Sequence, residues 1–387
     1  MIRILDILAA SRVRVYPLEK DVLLTCQETR PACMRDLKII CLLTNQSRQQ
    51  KIKFGLCNHC GYRGYIDRPV KEWLVNFYKQ KWDGVFSRNE NEVKKLLNLP
   101  IIGPKASRYL TISLALSLNV DKSKPICEIG CGYGEVLKKF SDAGFKKLIG
   151  VENSSHRALM AKKVFDLEVI TGDFGGIQVQ EALRPKGPFT IIFSHHVLEH
   201  TYNPAEIIKN MAELQKQGDY LVLALPNAEG EHINYGLFYL VHLHVFTKES
   251  LELLLNKNGY EIIADHSPDE TNIIIAAQKV NNPKKIYKLR KDYEELIKER
   301  LKRGLCINFL KAGSRNLVRW QQKLEIKDYA QNLPARFWFF KKYIKFIKAR
   351  LLRRFSSGYE MLVEFSGQDF FLPLEINFKK DIKFLIK

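Results

Sequence analysis

Apolar residues recur with two different rhythms along this chain. From about residue 125, short apolar runs end in glycine or polar residues, and stretches of helical periodicity lie between them. The runs are Pro125–Ile129, Lys147–Val151, Leu167–Thr171, Phe189–Phe193 and Tyr220–Leu225, and Tyr260–Ala264 with Asn272–Ala277 close the series as a strand pair. Strand alternating with helix predicts an α/β domain with a doubly wound, mostly parallel sheet. Upstream the rhythm is that of a hairpin. Leu37–Leu43 and Gln50–Leu56 flank the polar turn Thr44–Arg48,. Residues 69–82 then carry Trp73, Phe77 and Trp82 at helical intervals,. Downstream of 282, Lys284–Arg303 reads as a charged helix and Ala335–Phe355 as a second helix. Tyr359–Phe365 and Phe370–Phe378 read as strands. The pattern divides the chain at 1–83, 84–281 and 282–387.

Composition changes this picture in one respect. The hydrophobic share of 46% is ordinary, but the net charge is +20, and it is unevenly spread. Residues 281–387 hold 26 Lys/Arg against 11 Asp/Glu, and residues 1–80 hold 14 against 7. Residues 81–280 are close to neutral, with 22 against 24. The basic flanks imply an acidic partner: nucleic acid, a phosphorylated substrate or an anionic membrane surface. No apolar run reaches the 18 residues or so that a transmembrane helix requires. Met1–Leu8 carries Asp6 and lacks a small-residue cleavage site, so no signal peptide is expected and the expected location is the cytoplasm.

The strand ends carry the chemistry. Glu128-Ile129-Gly130-Cys131-Gly132-Tyr133-Gly134 is a glycine-rich turn between a buried strand and a helix. Lacking Cβ atoms, such a turn lets a ligand approach the backbone, and the helix behind it offers N–H donors. Glu152 follows the second strand, 22 residues after Gly130, and Asp173-Phe174 follow the third. An ordinary dinucleotide-binding domain is the competing reading, but it favours a third glycine placed further along.

These residues resemble the class I S-adenosylmethionine (SAM)-dependent methyltransferases. Glu128–Gly134 is similar to their first motif. Ser194-His195-His196-Val197-Leu198-Glu199-His200 with Asn203-Pro204 resembles the post-strand-four segment of a small-molecule branch, and Leu225-Pro226-Asn227 and His242–Thr247 extend the similarity over about 175 residues. Thr190 departs from the pattern, which commonly has an aspartate near the start of strand four. The Asn/Asp-Pro-Pro-Tyr motif of amino-methylating nucleic-acid enzymes is missing. The resemblance implies a Rossmann-like seven-stranded sheet with an antiparallel last strand. It also implies SAM held by Glu128, Gly130, Cys131, Gly132, Gly134, Glu152, Asp173, Phe174 and Ser194. Glu128 would serve the ammonium group, Glu152 the ribose hydroxyls and Asp173 the adenine amino group, while Phe174 would cover the ring.

Methyl transfer to a hydroxyl or carbon acid needs a general base, and histidine suits neutral pH. His196 is the first candidate, His244 the second; the alternative is that these rings only pack. His200, inside a helix start, is expected to be structural.

Five of the eight cysteines lie in the first 60 residues. Cys57-Asn58-His59-Cys60-Gly61 has knuckle spacing, and Cys26 with Cys33 would complete a structural zinc site. Cys57–Tyr78 resembles the zinc-ribbon leader that precedes many glycan-modifying methyltransferases. In the tail, Ala335–Phe355 carries eight basic residues and no acid, with Phe337, Trp338, Phe340, Ile344, Ile347, Leu351 and Phe355 as an apolar stripe. Peripheral contact with the inner face of a membrane is expected, with RNA binding or packing on the domain as alternatives.

The expectation is therefore an α/β methyltransferase domain between a small β-rich zinc-ribbon-like module and a basic α+β extension. It would O-methylate a sugar of a nucleotide- or lipid-linked glycan. An RNA methyltransferase and a non-catalytic SAM-binding scaffold are the alternatives.

Overall fold

A computed structural model of the chain describes residues 24–25, 37–45, 50–76, 78, 87–98, 104–228, 242–267, 272–289, 291–293 and 361–365; at 24–25, 38–45, 50–54, 104–107 and 361–365 it describes the backbone alone. Cys26, Cys33, the Ala335–Phe355 segment and Phe370–Phe378 lie outside these residues, as does most of Lys284–Arg303.

Seven strands build the central sheet: β6 (Pro125–Ile129), β7 (Lys147–Glu152), β8 (Glu168–Thr171), β9 (Ile191–His195), β10 (Tyr220–Pro226), β12 (Tyr260–Asp265) and β13 (Asn272–Lys279). Their order is β12-β13-β10-β9-β6-β7-β8. The pairs β6·β7, β6·β9, β7·β8 and β9·β10 are parallel, while β13 runs antiparallel to both β10 and β12. This is the expected mixed α/β sheet, with its antiparallel last strand inserted between β10 and β12.

Both faces of the sheet are covered, which is why its strands read as nearly unbroken apolar runs. Alternate side chains of one strand serve opposite cores. Cys127 and Ile129 pack with Phe174, Leu183, Ile208 and Leu254, whereas Ile126 packs on the other face with Val136, Phe140 and Ala158. The helices begin where the sequence offers a cap. Ser154 accepts from the Arg157 N–H at 3.1 Å ahead of the helix Ser155–Phe165. Thr247 and Ser250 form a capping box ahead of Lys248–Lys257,. Asn203, followed by Pro204 at the first helical position, opens Pro204–Glu213,.

The three-way division expected from the pattern is less clean in space. A second sheet has the order β11-β4-β3-β2-β14. Its strands β2 (Lys38–Asn45), β3 (Gln50–Leu56) and β4 (Arg63–Tyr65) come from the amino-terminal region, with β2 and β3 forming the expected hairpin. Its edges do not. β11 (His244–Val245) comes from the segment before the last large helix, and β14 (Met361–Phe365) from the carboxy-terminal region. A short pair, β1 (Leu24–Thr25) with β5 (Arg68–Pro69), lies apart. The small sheet is thus assembled from all three predicted regions.

Residues 284–289 are not helical, contrary to the charged-helix expectation. Their backbone is captured instead: the Tyr287 N–H donates to Glu252 at 3.1 Å, and the Tyr287 hydroxyl donates to Asp265 at 2.8 Å. Among the described residues no helix is long and apolar enough to cross a membrane.

Candidate active site

The carboxyl ends of β6, β7, β8 and β9 converge, as ligand sites in open α/β sheets do. After β6 the chain turns through Gly130, Gly132 and Gly134, all in the left-handed region at φ 74°, 57° and 79°. Two of these glycines are needed for packing. A Cβ on Gly130 would lie 2.3 Å from Val197 Cγ2, and one on Gly134 would lie 2.5 Å from Leu167 Cδ1. Gly132 differs, because a Cβ there would meet nothing within 4 Å. The open space over Gly132 is the face on which a ligand can sit against the backbone.

Two carboxylates border that face. Glu152 Oε2 accepts from the Gly132 N–H at 2.8 Å and Oε1 from the Ser154 N–H at 2.9 Å, which fixes the side chain at the edge of the loop. Glu128 is buried, and its Oε2 has no hydrogen-bond partner. Burial pushes the Glu128 carboxyl well above its usual range; Arg108 opposes the shift and Glu152 adds to it,. A buried, unsatisfied carboxyl oxygen is costly, and an ammonium group brought alongside supplies the missing partner. The residues present therefore fit SAM: an open glycine backbone, an acid for the amino-acid end and a second acid at the ribose position.

The remaining predicted cofactor residues are distributed around this cradle. Asp173 follows β8 and is partly buried, with Oδ1 accepting from the Gly175 N–H at 3.2 Å. Phe174 lies in the core beside Val179 and Leu183, so little of its ring is open to a ligand. Ile177, which drew no attention in the sequence, is 75% exposed four residues after Asp173. Cys131 and Ser194 are buried.

Beyond β9 lies a cluster of histidines. His196 adopts φ 55°, rare for a residue with a side chain, while its backbone N–H donates to Ala224 O at 2.8 Å,. His196 Nδ1–H donates to Glu199 Oε1 at 2.9 Å, leaving Nε2 as the acceptor nitrogen. Glu199 is 1% exposed. Burial alone would raise its pKa, but the hydrogen bond from His196 and the nearby His200 and His242 outweigh it and hold the carboxyl at about 2. His200 Nδ1 meets the Tyr78 hydroxyl at 2.8 Å, and the His200 and His242 rings lie 4.5 Å apart.

His244, the second predicted base, stands elsewhere. It is buried, its Nε2–H donates to Thr201 O at 2.9 Å and its Nδ1 accepts from the Tyr62 hydroxyl at 2.6 Å. Burial and the charge of Arg68 push its pKa well below the usual range. With both nitrogens committed, His244 ties the turn before β4 to the sheet domain. The sequence suggested a structural role for His200 and no separate role for Glu199. The signal passed over was an acid flanked by histidines at positions 196 and 200.

Cys57 and Cys60 lie on a tight turn closed by Gly61 N–H to Cys57 O and Cys57 N–H to Tyr62 O, both at 2.8 Å. The turn is buried against the sheet domain, where Thr247 Oγ1–H donates to Cys60 O at 2.8 Å. That is knuckle geometry, but Cys26 and Cys33 lie outside the described residues, so a four-cysteine site is not assembled among those described.

Comparison with known proteins agrees with this geometry. Residues 106–265 match the family described as "Methyltransferase domain". Relatives include the ubiquinone biosynthesis O-methyltransferase of Rhodopseudomonas palustris, 27% identical over 113 residues, covering 29% of this chain and 44% of that protein. They also include the mRNA cap guanine-N(7) methyltransferase of Saccharomyces cerevisiae, 25% identical over 173 residues, covering 40% and 38%. The chain spans about half the length or less of these curated relatives. Among solved structures, magnesium protoporphyrin IX methyltransferase from Synechocystis PCC 6803 with bound SAM aligns at a TM-score of 0.38 and 14% identity. That alignment covers 54% of this chain and 96% of that one.

Proposed function

We propose that the chain catalyses SAM-dependent methylation of a hydroxyl group, with a sugar of a nucleotide- or lipid-linked glycan as acceptor. The observation that carries the donor half is the cradle formed by open Gly132, the orphaned carboxyl oxygen of Glu128 and the pinned Glu152. Bound SAM supplies an activated methyl group on sulfur. The protein's part is to orient the acceptor in line with it and to take the acceptor's proton.

The His196–Glu199 pair supports a hydroxyl acceptor. A buried carboxylate held to Nδ1 fixes the tautomer and keeps Nε2 as a base, the same division of labour as in other acid-oriented histidines. A purine nitrogen with a free lone pair needs no base, so this pair favours the hydroxyl chemistry named for the ubiquinone relatives over that named for the cap relative. The glycan assignment rests on the resemblance of the cysteine-bearing leader and on the basic flanks, which suit a phosphate-linked acceptor. Peripheral membrane contact through residues 335–355 would bring the protein to such a substrate.

RNA is the second reading, favoured by the net charge of +20. Incubation with labelled SAM and fractionated cell extract separates the two. Label in nucleotide- or lipid-linked glycan is expected, whereas label in RNA alone overturns the proposed acceptor.

A further inference from the structure

Behind the candidate base, Glu199, His200 and His242 bring one ligand atom each to within 4.8 Å of one another. Ligands of a tetrahedral centre with bonds of about 2.0–2.2 Å stand roughly 3.4 Å apart, so small side-chain rotations close the set. Three features prepare it. Glu199 Oε1 is engaged by His196, while Oε2 is buried with no hydrogen-bond partner. A buried carboxylate oxygen without a hydrogen-bond partner is a ligand atom that a cation would satisfy,. His200 Nδ1 lies 2.8 Å from the Tyr78 hydroxyl, and its Nε2 faces Glu199 Oε1 at 3.8 Å. Fixing a histidine through its second nitrogen is how metal ligands are oriented. His242 arrives from a different segment, which closes the cluster from a third direction.

We propose that Glu199, His200 and His242 bind a divalent transition-metal ion, zinc being the best match to a two-histidine, one-carboxylate donor set. Three protein ligands leave a coordination position open, and an acceptor hydroxyl placed there is polarised toward loss of its proton. Tyr78 is a positioning residue for His200. The role in transfer rests on the methyltransferase reading; the binding does not.

The test is a titration of the chelator-treated full-length protein with cobalt(II), whose spectrum separates nitrogen and oxygen ligands from thiolates. One equivalent is expected to give d–d bands without thiolate charge transfer, separate from any cobalt bound at the Cys57–Cys60 turn. His242→Ala and Glu199→Gln should weaken that component at least about tenfold, and Tyr78→Phe by about tenfold. Calorimetric titration with SAM on the same samples should be unchanged, which shows that each variant is folded; His242→Gln serves if His242→Ala is not. Nitrogen/oxygen bands that persist at full strength in folded His242→Ala and Glu199→Gln, or cobalt spectra with thiolate bands only, overturn the metal site. A protein that binds cobalt as described but not SAM would retain the metal site and refute the methyltransferase reading instead.

Discussion

The donor and acceptor halves of the site are built by opposite means. The proposed donor half uses the ends of three adjacent parallel strands, β6, β7 and β8, and its residues lie in the last two positions of a strand or in the turn that follows it. The acceptor half gathers Tyr78, His196, Glu199, His200 and His242, drawn from three segments far apart in sequence. The first depends on backbone geometry that local sequence dictates: a buried strand, a glycine turn and a helix start. The second depends on tertiary placement of side chains, which the local pattern does not encode.

If the halves are separable, variants should divide them. The largest effect is expected for His196→Ala. Losing a general base commonly costs 10²–10⁴-fold, so methyl transfer to a hydroxyl acceptor should fall by about that factor, with SAM affinity within a few-fold of the parent. Stopped assays with saturating SAM read it. Glu152→Ala attacks the other half. Two hydrogen bonds to a charged group are each worth about 1.5–3 kcal/mol, so SAM affinity should fall by at least about 100-fold in calorimetry, while the cobalt spectrum is unchanged.

The join between the two sheets should be separable from both. His244→Ala leaves the Tyr62 hydroxyl and the Thr201 carbonyl buried without their partner, a loss of about 1–3 kcal/mol. A lower melting temperature is expected with little change in SAM affinity. The smallest effect concerns Asp265, which Lys248, Ser267 and Tyr287 hold at about 2 although burial opposes it. A depressed folded pKa gives stability that is present above the unfolded value and is lost as pH falls. The melting-temperature gap between parent and Asp265→Asn should therefore be open at pH 7 and close between about pH 4 and pH 2.

What the sequence made legible follows the same division. The seven strands and the antiparallel last strand were readable, because apolar runs and glycine turns are local signals. His244 was misleading: its place in a family-like segment suggested chemistry, but its ring is spent on Tyr62, 182 positions away. Phe174 was misleading in the same way, since only the fold shows that its ring turns into the core. Glu199 looked like part of a helix start and proved to be the centre of a charge network, a role visible only once His196 and His242 are brought beside it. The edges of the small sheet escaped for a related reason. A two-residue edge strand such as β11 carries no periodicity to detect, and its pairing with β4 is a long-range choice.

The most direct test of the account compares SAM binding and methyl transfer in Glu152→Ala and His196→Ala side by side. The account predicts that Glu152→Ala loses SAM binding, whereas His196→Ala binds SAM like the parent protein and fails to transfer the methyl group. Parent-like SAM affinity in Glu152→Ala, or binding and transfer falling together in His196→Ala, would contradict it.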